Sequence, residues 1–140
     1  MANIQEALFS SLKDDPAISA KVDAGGGKFH IYPVAIPNNA LKEKADYYIS
    51  FGQVSSIPDL NYLDVRLPLF QINAIAKKYS DAVDLKNDII ALLNRYKGDL
   101  ASLRKVKYTY IVNDFESRDP DNDLYYFPIE VRFKYFGDNV

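Results

Sequence analysis

The segment Leu124-Tyr125-Tyr126-Phe127-Pro128-Ile129-Glu130-Val131-Arg132-Phe133-Lys134-Tyr135-Phe136 decides the fold class. Ile129, Val131, Phe133 and Tyr135 fall on one phase of this run, and Glu130, Arg132 and Lys134 on the other. Successive side chains of a strand point to opposite faces, so the alternation predicts a strand with one dry and one wet face. One-sided polarity belongs to an antiparallel sheet with helices on its apolar side. Immediately upstream, Lys105 to Phe115 reads as the other arm of a long hairpin. The joining segment, Glu116 to Asp123, is charged and too long for a tight turn.

Further upstream, Tyr47 to Val54 alternates in the same way, with Ile49 and Phe51 opposed to Tyr48 and Ser50. Leu63 to Ala74 carries two phases: Val65, Leu67 and Leu69, then Phe70, Ile72 and Ala74. Pro68 sits at the changeover and lacks the ladder donor, which predicts a bulge or an edge position there. Ser80 to Tyr96 shows helical spacing. Its stripe is Ala82, Leu85, Ile89, Leu92, Leu93 and Tyr96, with Ser80 or Asp81 as cap and Gly98 as stop.

Ile4, Ala7, Leu8, Ser11 and Leu12 predict a first short helix, with Asn3 and Glu6 spaced as a capping box. Asp15-Pro16 opens a second, because proline is tolerated in a first turn. Gly25-Gly26-Gly27 reads as a turn, followed by an extended stretch from Phe29 to Pro33. The segment from Val34 to Asp46 is polar and proline-bearing and reads as an exposed loop. Together these predict one α+β domain over residues 1–140: a mainly antiparallel sheet of four strands with helices packed on one face.

Composition narrows the function. The chain has 140 residues, 48 % hydrophobic and 26 % charged, a balance that supports a packed core. A net charge of −2 supplies no global field for nucleic acid. Cysteine is absent, which removes disulfides, thiolate metal sites and cysteine nucleophiles. The start, Met1-Ala2-Asn3-Ile4-Gln5-Glu6, lacks the basic and apolar pattern of a signal peptide, and no apolar run is long enough to cross a membrane.

Tests for chemistry are negative. His30 is the single histidine and stands in a β-like stretch without a Gly-x-Ser-x-Gly elbow. Gly25-Gly26-Gly27-Lys28 fails as a phosphate loop, because Val22 and Phe29 occupy the positions needed for glycine and for Ser or Thr. Asp119, Asp121, Asp123 and Glu130 have the acidic spacing of a calcium loop, but Leu124 replaces its turn glycine. A solvated acidic loop is the plainer reading. No catalytic residue, cofactor or metal ligand is assigned.

Charge is unevenly distributed. Arg95, Lys97, Arg104, Lys105 and Lys107 oppose only Asp99, whereas Asp114, Glu116, Asp119, Asp121 and Asp123 oppose only Arg118. Lys107 and Asp114 share a predicted strand and lie roughly 23 Å apart at about 3.3 Å per residue. Basic and acidic regions then fall toward opposite ends of the sheet. They are either two solvated loop regions or the unlike sides of a head-to-tail contact.

Several short pieces, in order along almost the whole chain, resemble the small tail-completion proteins of long-tailed bacteriophages, the tail terminators and tail-to-head joining proteins. They are Ala7-Leu8 through Leu12, Asp15-Pro16-Ala17-Ile18, and Ile31-Tyr32-Pro33. The others are Tyr48-Ile49-Ser50-Phe51 with Val54-Ser55, Phe70 to Ala74 leading to Tyr79-Ser80-Asp81-Ala82, and Ile129 to Tyr135. Residues 24–28 and 41–46 extend beyond the usual pattern.

The resemblance implies a ring, commonly of six copies, that caps the tail tube and meets the head connector protein. It implies no enzyme activity and no cofactor. The expected location is the virion tail, of phage or prophage origin, with assembly in the host cytoplasm. Lys105, Lys107, Arg132 and Lys134 on one side, and Asp119, Asp121 and Asp123 on the other, are the candidate subunit or partner contacts. Two other classes compete. One is a small-ligand or divalent-metal module using Tyr108, Tyr110 and the acidic loop. The other binds nucleic acid through Lys105, Lys107, Arg132 and Lys134, without sequence specificity.

Overall fold

The computed structural model describes residues 4–59, 62–94, 98–99 and 105–136, with side chains over 5–54, 67–94 and 109–134. Helix α1 spans Ile4–Asp14 and buries Ala7, Leu8 and Leu12. Asp15 caps α2, Pro16–Val22, by accepting from the Ile18 amide at 3.2 Å. Both helices thus follow the apolar spacing and the Asp-Pro signal. Asn3 lies outside the described residues.

Strands β1, Asp23–Gly25, and β2, Lys28–Phe29, form a small hairpin around the glycines. Gly25, Gly26 and Gly27 all take positive φ, between 61° and 83°, a region closed to most side chains. Next come β3, Ile31–Pro33, the one-turn helix α3, Asn38–Leu41, and the long strands β4, Tyr47–Asp59, and β5, Tyr62–Ala76. Helix α4 is Tyr79–Leu93, followed by β6, Gly98–Asp99, β7, Lys105–Asp114, β8, Ser117–Asp119, and β9, Leu124–Phe136.

The four long strands are the expected ones, and all three contacts among them are antiparallel in the order β4-β5-β9-β7. The sheet is larger than the four strands expected. Its hydrogen-bonded path has six strands, β3-β4-β5-β9-β7-β6, and β8 pairs with β9 beside it. The strand β3 is parallel to β4, with Ile31 opposite Ile49. β3 falls within the stretch read as extended, Phe29 to Pro33, but strands of two or three residues are too short to show a period, so their place in the sheet was not legible.

Helices α1, α2 and α4 cover one face. Leu8, Leu12, Ile18, Val22, Leu85, Ile89 and Leu93 form one cluster with Ile49, Phe51, Phe70, Ile72, Ile129, Val131 and Phe133. Burial of one such side chain contributes about 1.5–3 kcal/mol, so this layer dominates stability. Lys21 of α2 ties to Asp88 of α4 at 2.6 Å, and that bond holds the Lys21 ammonium above its ordinary pKa.

Three local expectations require correction. The α4 start is Lys78 without a side-chain cap, and its end is Asn94, whose amide reaches Ile90 O; Ser80, Asp81 and Gly98 are neither cap nor stop. Tyr96 lies outside the described residues. The bulge expected at Pro68 is in the facing strand: Gln53 pairs Phe70 and Ser55 pairs Leu69, leaving Val54 extra. Pro68 itself is buried in the interior strand β5, where the Arg132 guanidinium donates to Leu67 O at 2.7 Å. Finally, Glu116 to Asp123 is not all loop, since β8 and β9 form a hairpin closed by residues 120–123.

Helices are also not confined to one face. The segment Val34 to Asp46 folds down on the other side of the sheet. There Tyr48, Ile75 and Leu124 make a second cluster, packed by Tyr32, Ile36, Leu41, Ala45 and Tyr126. Tyr48 and Ile49 are adjacent in one strand and must face opposite ways. Since Ile49 belongs to the main core, α3 lies on the outer face with Tyr48.

Candidate functional site

The outer face of the sheet divides into three zones along β9. The first, at its start, is the acidic turn. Asp119 accepts from the amides of Asp121 at 3.1 Å and Asn122 at 3.4 Å, and from Asn122 Nδ2 at 2.8 Å. The Asn122 side chain leads in holding the Asp119 carboxyl below its usual pKa. Asp121 and Asp123 are exposed; Asp123 has φ +54° and pairs with Arg118, whose guanidinium lies 5.9 Å from the Tyr125 ring. Asp can adopt this left-handed conformation with little strain, which lets the turn close in four residues.

The middle zone is a polar ladder beside an apolar patch. Asn73 Nδ2 donates to Ser50 Oγ at 2.8 Å, and Gln71 Nε2 to Asn73 Oδ1 at 2.9 Å. Ser50 and Asn73 are almost wholly buried, so these mutual bonds offset their desolvation. Burial raises the Tyr126 phenol, the next member of the ladder. A cleft of about 210 Å³ opens above it, between Ile36 and Leu41 on one wall and Asp119 and Asn122 on the other.

The third zone is basic. Lys134 is half-buried on the far part of β9, opposite Tyr108 of β7, and Arg132 lies opposite Tyr110. The backbone of Lys105 and Lys107 reaches the same end, Lys107 as the extra residue of a bulge between Val106 and Tyr108; their side chains are outside the described ones. Ten residues of strand separate Leu124 from Lys134, about 33 Å. Sheet topology thus brings Asp119, Asp121 and Asp123 into one turn, and places Arg132 and Lys134 away from them.

The acidic residues do not converge as a calcium loop would require. Asp123 turns to Arg118, while Glu130 stands within β9, where Asn113 Nδ2 donates to it at 3.4 Å. Millimolar calcium is expected to leave the melting temperature unchanged, since only binding to the folded state raises it. A clear upward shift in a thermal melt would restore the metal-binding reading.

His30 is buried, its Nδ1 3.0 Å from the Tyr32 hydroxyl and its ring edge-on to Tyr48 at 4.9 Å. It stitches β3 to the outer cluster. The residues that sequence reasoning missed are those of this cluster. Ile36, Ala40, Leu41 and Ala45 carried the signal, as apolar positions spaced four or five apart inside a segment read as polar.

A solved structure decides what this arrangement is similar to. The chain has the fold of a virion protein. The match is to a chain in the "Virion of native gene transfer agent (GTA) particle", at TM-score 0.73 and 20 % identity. It covers 96 % of this chain and 95 % of that one. No protein-family model matches the chain, and no curated protein does.

Proposed function

We propose that the chain is a structural assembly protein of a phage-type virion, acting as one domain over residues 1–140. In this reading it caps the tail tube and joins it to the head connector as a ring, with six copies expected. The observation that carries the proposal is the fold shared, over nearly the full length of both chains, with a protein of a virion particle. The ordered resemblance to tail-completion proteins supports the finer assignment. It also supports placement in the virion tail after assembly in the host cytoplasm, whether of phage or prophage origin.

The physical basis is the separation of unlike charges along one sheet. Lys105, Lys107, Arg132 and Lys134 would meet a neighbour's acidic surface, and Asp119, Asp121 and Asp123 a basic one. Complementary potentials of this kind steer association and fix its orientation more than they add affinity. The working surface is one for docking, and no turnover is assigned to it.

Electron microscopy of the purified chain, alone and mixed with tail tubes lacking their terminal protein, tests the assignment. Rings in solution, or a cap at one tube end, are the expected result, weakening as salt screens exposed charge. A chain that forms no ring and binds neither tubes nor connectors would remove the proposal.

A further inference from the structure

Among the described residues, the exposed large apolar side chains are segregated. Val34 is 81 % exposed and Val54 55 %, beside and on β4; Tyr110, Val112 and Phe115 are 41 %, 49 % and 45 % exposed, on and just after β7. These are the two outer long strands of the sheet, on opposite sides of it. Tyr79, at 49 %, is the remaining large apolar residue exposed among the described ones.

The β4 side has an open backbone edge. Among the described residues, β3 pairs only with Ile49 to Phe51, and the Val34 amide makes one last bond to Phe51 O at 2.7 Å. From Gly52 to Asp59 no described strand lies on that side. Val34 marks the departure point with φ +66°, a strained conformation for a β-branched residue. Beside the edge, a largely apolar groove of about 400 Å³ runs between α1 and β3, lined by Gln5, Glu6, Phe9, Ser10, Pro33 and Phe51. An open edge flanked by such a groove is the arrangement that accepts an added strand: main-chain bonds hold it and alternate side chains enter the pocket.

Each outer strand keeps an inner stretch free of charge and proline, with Pro58 and Asp59 following it in β4 and Lys105, Lys107 and Asp114 flanking it in β7. Monomeric proteins blunt their edges with charge or proline. The runs Gly52 to Ile57 and Tyr108 to Asn113 contain neither. Each strand does carry a bulge, and the bulged residues are the exposed valines: Val54 stands between the pairs Gln53–Phe70 and Ser55–Leu69, and Val112 between Ile111–Val131 and Asn113–Glu130. A bulge re-aims a side chain away from the regular ladder.

We propose that β4 and β7 are the two halves of a head-to-tail contact between copies of this chain, with β7 of one copy added to the β4 edge of the next. The proposal rests on the ring-forming reading above and names the surfaces that would make the ring. Three successive antiparallel steps leave β4 and β7 running in opposite directions. A second copy in the same orientation therefore presents its β7 antiparallel to β4, and the sheet continues without a change of pattern. Because the surfaces are unlike, the contact is heterologous and closes a ring wherever the rotation per copy permits.

Mixing two variants of the full chain tests this by sedimentation and light scattering. Val54→Lys spoils the β4 side, and Val112→Glu spoils the β7 side. Each alone is expected to lose every species larger than the monomer while keeping its melting temperature. Their mixture is expected to form dimers and nothing larger, since one good β7 then meets one good β4. If either variant unfolds, Val54→Thr or Val112→Thr replaces it, and a weakened association constant is read instead. Wild-type chain that stays monomeric at every concentration overturns the proposal. So does a Val112→Glu variant that still dimerises, which indicates a twofold β4–β4 contact. Dimers on mixing, from a wild-type chain that forms no ring and binds neither tail tubes nor connectors, would leave the strand pairing standing and remove the virion assignment.

Discussion

Phe133→Ala is expected to cost about 3–5 kcal/mol of folding stability, the largest effect of any single truncation considered. Phe133 is fully buried in the far part of β9, with its ring edge-on to Phe70 at a centroid distance of 5.4 Å. The alanine variant would lose the transfer energy of the ring, the aromatic contact and the packing of the space left behind. Phe133→Leu keeps most of that volume and is expected to cost under about 2 kcal/mol. Glu130→Ala, on the opposite phase of the same strand, is expected to stay within about 0.5 kcal/mol. Urea denaturation of the three variants measures the ordering. Equal costs at residues 130 and 133 would mean that the strand phase is misassigned, because one-residue slips exchange the two faces.

Tyr48→Phe is expected to destabilise the protein by about 1–3 kcal/mol despite removing a single oxygen. The Tyr48 hydroxyl donates to Ala40 O at 2.9 Å and accepts from the Ala45 amide at 2.9 Å. It therefore latches the middle and the end of the outer segment to the sheet, and its ring is buried against Ile75 and Leu124. Phenylalanine preserves the ring and leaves the Ala40 carbonyl and the Ala45 amide to find new partners. The effect should be local: faster amide exchange at Leu41 and Ala45, with Ile72 and Ile129 unchanged. Uniformly faster exchange across the sheet would show that the segment is part of the global unit, and no change at all would show that the latch carries no weight.

How much was legible follows from the length of each signal. The four long strands and three of the helices were readable because each spans enough residues to repeat its period. Ile129 to Tyr135 alternates over seven positions, and the α4 stripe buries Ala82, Leu85, Ile89 and Leu93 as spaced. The outer cluster was not readable. Tyr48 and Ile75 occupy the phase opposite the main core, and an apolar residue there signals burial only once a covering segment is known. The bulge was misplaced for a related reason. Pro68 advertised an irregularity, but whether the extra residue lies in β5 or in its neighbour depends on the pairing register, which is a property of two strands together.

The candidate contacts divide in the same manner. Asp119, Asp121 and Asp123 were grouped by sequence because they are near in the chain, and a turn keeps near residues near. The 33 Å or so that separates them from Lys134 follows from strand rise alone.

From sequence alone came the α+β class, the antiparallel pairing of the long strands, and the separation of basic from acidic residues along them. All of these rest on local periodicity and chain connectivity. Tertiary structure decided that α3 crosses to the outer face, that β3 joins in parallel, and that Val54 and Val112 are left exposed on opposite outer strands. These depend on which segments meet across long stretches of chain, and burial and register arise only at that meeting.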